Sequence, residues 1–68
     1  MQIIFLSREY EAEHGHSPKG YGFWVFSFEG YTFSASGTLT EAKKACRTHI
    51  RQTAPKGYTE TVFVNIEP

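Results

Sequence analysis

The spacing of apolar positions changes along this 68-residue chain, and each change marks an element. Gln2 to Ser7 (QIIFLS) is a continuous apolar run of strand length and β-rich composition, which suits a strand with both faces at least partly covered, as in a sheet interior. Tyr21 to Ser36 (YGFWVFSFEGYTFSAS) alternates instead and predicts a β-hairpin. With Glu29-Gly30 as a two-residue turn, Phe28 pairs with Tyr31, Phe26 with Phe33 and Trp24 with Ala35. Strand side chains alternate between faces, so those six share one side and leave Phe23 and Val25 on the other. Tyr58 to Ile66 (YTETVFVNI) predicts a last strand, with Val62, Val64 and Ile66 on one side and Thr61, Phe63 and Asn65 on the other.

Between hairpin and last strand the period becomes helical. Leu39, Ala42, Cys46, Ile50 and Thr53 fall in a narrow arc at about 100° per residue, flanked by His49. Thr38, with Glu41 three residues on, forms a capping-box sequence that opens the helix, and Pro55 and Gly57 stop it near Ala54. Arg8 to His14 (REYEAEH) lies between Ser7, an N-cap residue, and Gly15, a C′ residue. Seven residues form a marginal helix alone, so the segment reads as a short helical turn or an extension of an edge strand. Gly15 to Gly20 (GHSPKG) is a loop by composition.

The elements add up to one α+β domain over residues 1–68, a four-stranded, mostly antiparallel sheet with the long helix packed on one face. Leu39, Ala42, Cys46 and Ile50 are expected on Trp24, Phe26, Phe28 and Phe33. One helix covers one side. Phe23, Val25 and Phe63, with alternate residues of the first strand, are therefore either exposed or covered by the N-terminal segment carrying Tyr10, with Tyr21.

Composition narrows the class. With 40% hydrophobic and 16% aromatic residues the chain is too apolar for a disordered tail, and aromatic rings let a small domain bury much area through few residues. Seven basic and seven acidic side chains cancel, which argues against a general nucleic-acid coat protein. The single cysteine, Cys46, permits no internal disulfide. With no signal peptide or bilayer-length apolar run, and with Met1 leading directly into the first strand, the expectation is a cytoplasmic protein whose natural chain begins here.

Three features are candidate interaction sites. Phe23, Val25 and Phe63 would form an apolar patch suited to a protein partner or to base stacking. Lys43, Lys44, Arg47 and Arg51 lie along one flank of the helix and are the residues a nucleic-acid-binding role would use. Glu9, Glu11 and Glu13 gather acid at the other end of the sequence, so a chain neutral overall is dipolar. Metal and catalytic readings are weaker. His14 and His16 share a loop, and Cys46 and His49 are three apart, but no paired Cys-x₂-Cys spacing accompanies them and Cys46 centres on the apolar stripe. The sequence has no aspartate, glycine-rich phosphate loop or serine elbow. We expect no enzyme, no metal site and no cofactor.

Small size, a helix opened by GTLTEAKKA, segregated charge and no catalytic motif together resemble the phage-encoded inhibitors of bacterial defence known as anti-CRISPR proteins. The resemblance covers the whole chain in organisation. It implies binding to a CRISPR effector complex, by blocking target DNA or nuclease recruitment, in a bacterial cytoplasm. Strongly acidic members mimic DNA, and the neutral charge here departs from them. Under mimicry Glu9, Glu11 and Glu13 would carry binding; under steric blocking, Phe23, Val25 and Phe63. The expected partner is thus a protein, with nucleic acid as the alternative, no membrane, and a monomer or weak homodimer as the resting state.

Overall fold

The computed structural model describes residues 1–54, 57 and 59–68. Its elements run β1 (Gln2–Leu6), α1 (Arg8–His14), β2 (Tyr21–Phe28), β3 (Tyr31–Thr38), α2 (Leu39–Thr53) and β4 (Thr61–Ile66). The four strands form one sheet in the order β1-β4-β2-β3. The class is α+β. β2 pairs antiparallel with β3 and with β4, whereas β1 pairs parallel with β4, so the sheet is mixed.

The hairpin forms with Phe28 opposite Tyr31, Phe26 opposite Phe33 and Trp24 opposite Ala35. Glu29 at φ 48° and Gly30 at φ 82° both take the left-handed conformation that a two-residue turn with the twist of a hairpin requires. At the other end of β3 the chain enters α2 without a loop. Thr38 is both the last strand residue and the N-cap. Its Oγ1 accepts from the Glu41 backbone N–H at 3.2 Å, and its own N–H and hydroxyl donate to Glu41 Oε1 at 3.3 and 2.9 Å. The capping box is complete, and α2 connects β3 to β4, two parallel strands with β2 between them.

That crossover carries α2 over one face of the sheet. Leu39, Ala42, Cys46 and Ile50 are buried there with Trp24, Phe26, Phe28, Val62, Val64 and Ile66. Thr53, expected in the same arc, is exposed, because the last turn runs past the core; its hydroxyl donates back to the carbonyls of His49 and Ile50. Helix ends tolerate this, since threonine competes with the backbone for its own carbonyls.

The first strand corrects a sequence expectation. β1 is an edge strand, not an interior one. Its inward residues Ile3 and Phe5 are only half-buried against the core. Phe5 meets Phe26 edge-on at 5.5 Å, and Lys43 and Arg47 stand over its ring at 5.4 and 5.2 Å. The continuous apolar run thus reflects cover by cation stems and heads, which shield a ring at an edge as an apolar neighbour would inside. The last strand starts at Thr61, later than expected; Tyr58 and Pro55 lie outside the described residues.

α1 is helical and closes on Gly15, whose φ of 74° and N–H to the Glu11 carbonyl (2.8 Å) make a left-handed C-terminal stop. Ser7 precedes the helix but makes no side-chain cap; its hydroxyl donates to the Glu11 carboxylate instead.

Two measurements check this construction. Thr38→Ala should lower stability by about 1 kcal/mol in urea unfolding at neutral pH. The Thr38 hydroxyl, then its backbone N–H, hold the Glu41 carboxyl below its ordinary value. A depressed carboxyl contributes above its unfolded range and ceases to do so as pH falls, so the Thr38→Ala penalty should shrink in acid. Phe26→Ala should cost about 3–5 kcal/mol, comparable with the whole stability expected of a domain this size, and the variant should lack a cooperative thermal transition.

Candidate binding face of the sheet

Every strand has alternate residues pointing away from α2, and together they form the second face. They are Gln2, Ile4 and Leu6 on β1, Thr61, Phe63 and Asn65 on β4, Tyr21, Phe23, Val25 and Ser27 on β2, and Thr32, Ser34 and Ser36 on β3. None of these is charged. The Glu67 carboxylate accepts a hydrogen bond from the Ser27 hydroxyl.

The N-terminal segment does not cover this face. Tyr10 packs against the core on the α2 side, with its ring 5.7 Å from Trp24. Tyr21 is 82% exposed. Contact with Trp24 draws α1 to the α2 side. The indole lies over Gly22 and donates Nε1–H to the Gly37 carbonyl at 3.2 Å, and Tyr10 supplies the remaining apolar cover. Glycine in a strand offers no side chain to pack, and here an aromatic neighbour fills the gap.

Phe23 is 70% exposed and Phe63 55% exposed on this face, with Val25 half-buried between strands. They do not form one cluster. Because Ser27 lies opposite Asn65, Phe63 falls level with Glu29, six residues along the strand from Phe23. At about 3.3 Å per residue the two rings sit roughly 20 Å apart. Phe63 instead lies beside Ile4, with Leu6 next along β1, and makes one apolar end. Tyr21, Phe23 and Val25 make the other. Between them runs a polar band of Asn65, Ser27 and Thr32. Residue parity places Phe23 and Phe63 on one face; only the β2–β4 register, a long-range pairing, gives their separation.

The charged candidates lie elsewhere. Lys43 and Arg47 lean toward β1 over Phe5, while Lys44 borders a groove on the β3 side with Phe33, Thr48, His49 and Gln52. The four cations stay within one arc of α2, with Lys43 and Arg47 on its β1 side and Lys44 nearer the β3 groove. Arg51 continues the Lys43–Arg47 line in the last turn, where a cation complements the helix terminus. Glu9 and Glu13 are exposed on α1, one turn apart. Glu11 is occupied: its carboxylate accepts from the Ser7 and Ser17 hydroxyls and ties the loop to the helix. The three glutamates do not present one row.

Cys46 and His49 are not brought together as a nucleophile and base. Cys46 is fully buried in the core, and desolvation, opposed in part by Arg47, pushes its thiol up to about 11. His49 stacks on Phe33 with ring centroids 4.9 Å apart. At the hairpin-turn end a groove of about 510 Å³ opens between Met1, Phe28, Tyr31, Ile50 and Val62. It is mostly apolar, and Cys46 does not line it. Among the described residues no helix is long and apolar enough to cross a membrane.

No protein-family model, curated protein or solved structure matches this chain.

Two expectations follow. Phe23→Ser should change stability by less than about 1 kcal/mol, since a mostly exposed ring has little burial to lose; a loss as large as that of Phe26→Ala would mean that the face is covered. The Cys46 thiol should resist an aromatic disulfide reagent at pH 8 in the folded protein and react at once in denaturant. Its raised folded value also means that stability should decline between about pH 9 and 11, where the unfolded chain ionises first.

Proposed function

We propose that this protein is a small non-enzymatic binding module that docks the uncovered face of its sheet on a larger protein assembly. The observation that carries the reading is the face itself: broad, uncharged, and set with Tyr21, Phe23, Ile4, Leu6 and Phe63 around hydroxyl and amide side chains. Aromatic residues at well-separated positions with few charges between them match the composition of protein–protein interface cores. In the form implied by the resemblance to anti-CRISPR proteins, the partner is a subunit of a CRISPR effector complex, and binding blocks target DNA or nuclease recruitment by occupying the surface. Steric blocking is favoured over DNA mimicry, because Glu11 is engaged within the chain and leaves only Glu9 and Glu13 free to imitate phosphates.

The alternative is a nucleic-acid-binding domain. Single-stranded nucleic acid is held where cations flank stacking aromatics, and here Lys43, Lys44, Arg47 and Arg51 lie on the helix side, opposite Phe23 and Phe63. Of the aromatics near the cations, Phe5 is half-buried beneath two of them.

The test is direct competition. Purified CRISPR effector complexes are assayed for target-DNA binding by gel shift with and without the protein, alongside Phe23→Ser, Phe63→Ser and Lys44→Ala/Arg47→Ala variants. Inhibition by wild type, weakened about tenfold or more by either phenylalanine substitution and unchanged by the cation pair, is expected. No inhibition of any complex removes the CRISPR partner. Direct binding of the free protein to DNA or RNA at low salt, lost in the cation variant, transfers the function to nucleic acid.

A further inference from the structure

Outside the sheet face, the most organised group of polar side chains is at the end of α1. Gly15 turns the chain through its left-handed conformation, so His14, the last helical residue, and His16, the first loop residue beyond, come together with ring centroids 5.9 Å apart and planes tilted by 53°. Both are exposed. The His14 ring is stacked on Tyr10 at 4.1 Å and 23°, and Tyr10 rests in turn on the buried Trp24. The edge of His16 also meets Tyr10, at 5.9 Å. His16 Nδ1 is 2.9 Å from the Ser17 carbonyl. A carbonyl can only accept, so Nδ1 donates there, and in the neutral ring the lone pair is on Nε2.

We infer that His14 and His16 form a two-imidazole chelate for a borderline divalent cation of the zinc, nickel or copper class. Metal-bound histidines characteristically donate their other ring N–H to a backbone carbonyl or carboxylate, which fixes the tautomer before the ion arrives; His16 already has that arrangement. Two imidazoles on one ion at ordinary metal–nitrogen distances bring their ring centroids about 5 to 6 Å apart. The observed 5.9 Å falls in that range. The aromatic ladder from Trp24 through Tyr10 holds His14 in place, which lowers the ordering cost of binding. Among the described residues no third His, Cys, Asp or Glu completes a protein cage, so the remaining positions belong to water. Imidazole rather than carboxylate donors select against magnesium and calcium. Sequence spacing alone shows two loop histidines without a motif; the αL turn at Gly15 and the stack on Tyr10 are what bring them together.

Trp24 is the only tryptophan and sits at the foot of the ladder, which makes it a reporter. The test is titration of the full chain with Cu²⁺ and with Zn²⁺ at neutral pH, following Trp24 emission for copper and heat for zinc. The expected result is saturable copper quenching and saturable zinc heat, each at one ion per chain. Affinity should fall at least about tenfold in His14→Ala and in His16→Ala, and it should fall in the wild type as pH is lowered, because protons compete for the imidazoles. Magnesium should give no signal. Both substitutions are at exposed positions, and circular dichroism of the variants confirms that they fold. Absence of saturable binding, or equal affinity in the double His14→Ala/His16→Ala variant, would overturn the assignment.

Discussion

Ala42 and Cys46, the small residues at the centre of the α2 stripe, are buried almost completely in the cluster that holds Phe26, Val64 and Ile66. Their size allows the helix to lie close to β2, and large aromatic rings on the sheet fill the space that small helical side chains leave. Most of the apolar burial is collected in that contact, between one helix and one face. A domain of this length buries only about 60% of its unfolded surface, so little apolar material remains for a second layer. The Thr38 capping box matters for the same reason, since it starts α2 directly from β3 and so sets where the helix crosses.

The consequence is an asymmetric molecule. On the α2 side even the weakly covered parts acquire partners: Phe5 takes Lys43 and Arg47, Phe33 takes His49, and Trp24 takes Tyr10 and the Gly37 carbonyl. On the other side, among the described residues, Phe23, Phe63 and Tyr21 take none of comparable extent. The Cα radius of gyration of 12.0 Å exceeds the roughly 11 Å of a compact chain of this length. The excess reflects the hairpin, whose Tyr21 end extends beyond the last β4 residue paired with β2. A surface that is aromatic, uncharged and broad is costly to leave in water, and that cost is the physical basis of the proposal that it docks on a protein.

Charge is arranged around that face and not across it. The cations of α2 serve partly as cover for β1, through Lys43 and Arg47 over Phe5, and Glu11 serves the α1 loop. Charge counted along the sequence overstates what is available for recognition, because a side chain already hydrogen-bonded or stacked within the fold loses those contacts if it turns outward.

The sequence by itself determined whatever rests on neighbours within a few residues. The Glu29-Gly30 turn decides the register from Phe28–Tyr31 to Trp24–Ala35, the Thr38–Glu41 reciprocity decides the start of α2, and the helical period decides that Leu39, Ala42, Cys46 and Ile50 face inward. Each is a local interaction whose geometry follows from spacing. The tertiary structure decided the strand order, the parallel pairing that leaves β1 at the edge, the side on which α1 settles, and the distance between Phe23 and Phe63. These depend on which distant segments pair. An apolar run such as QIIFL is equally content in a sheet interior or at an edge beneath the stems of Lys43 and Arg47, and only the competition among all elements for one small core chooses between them.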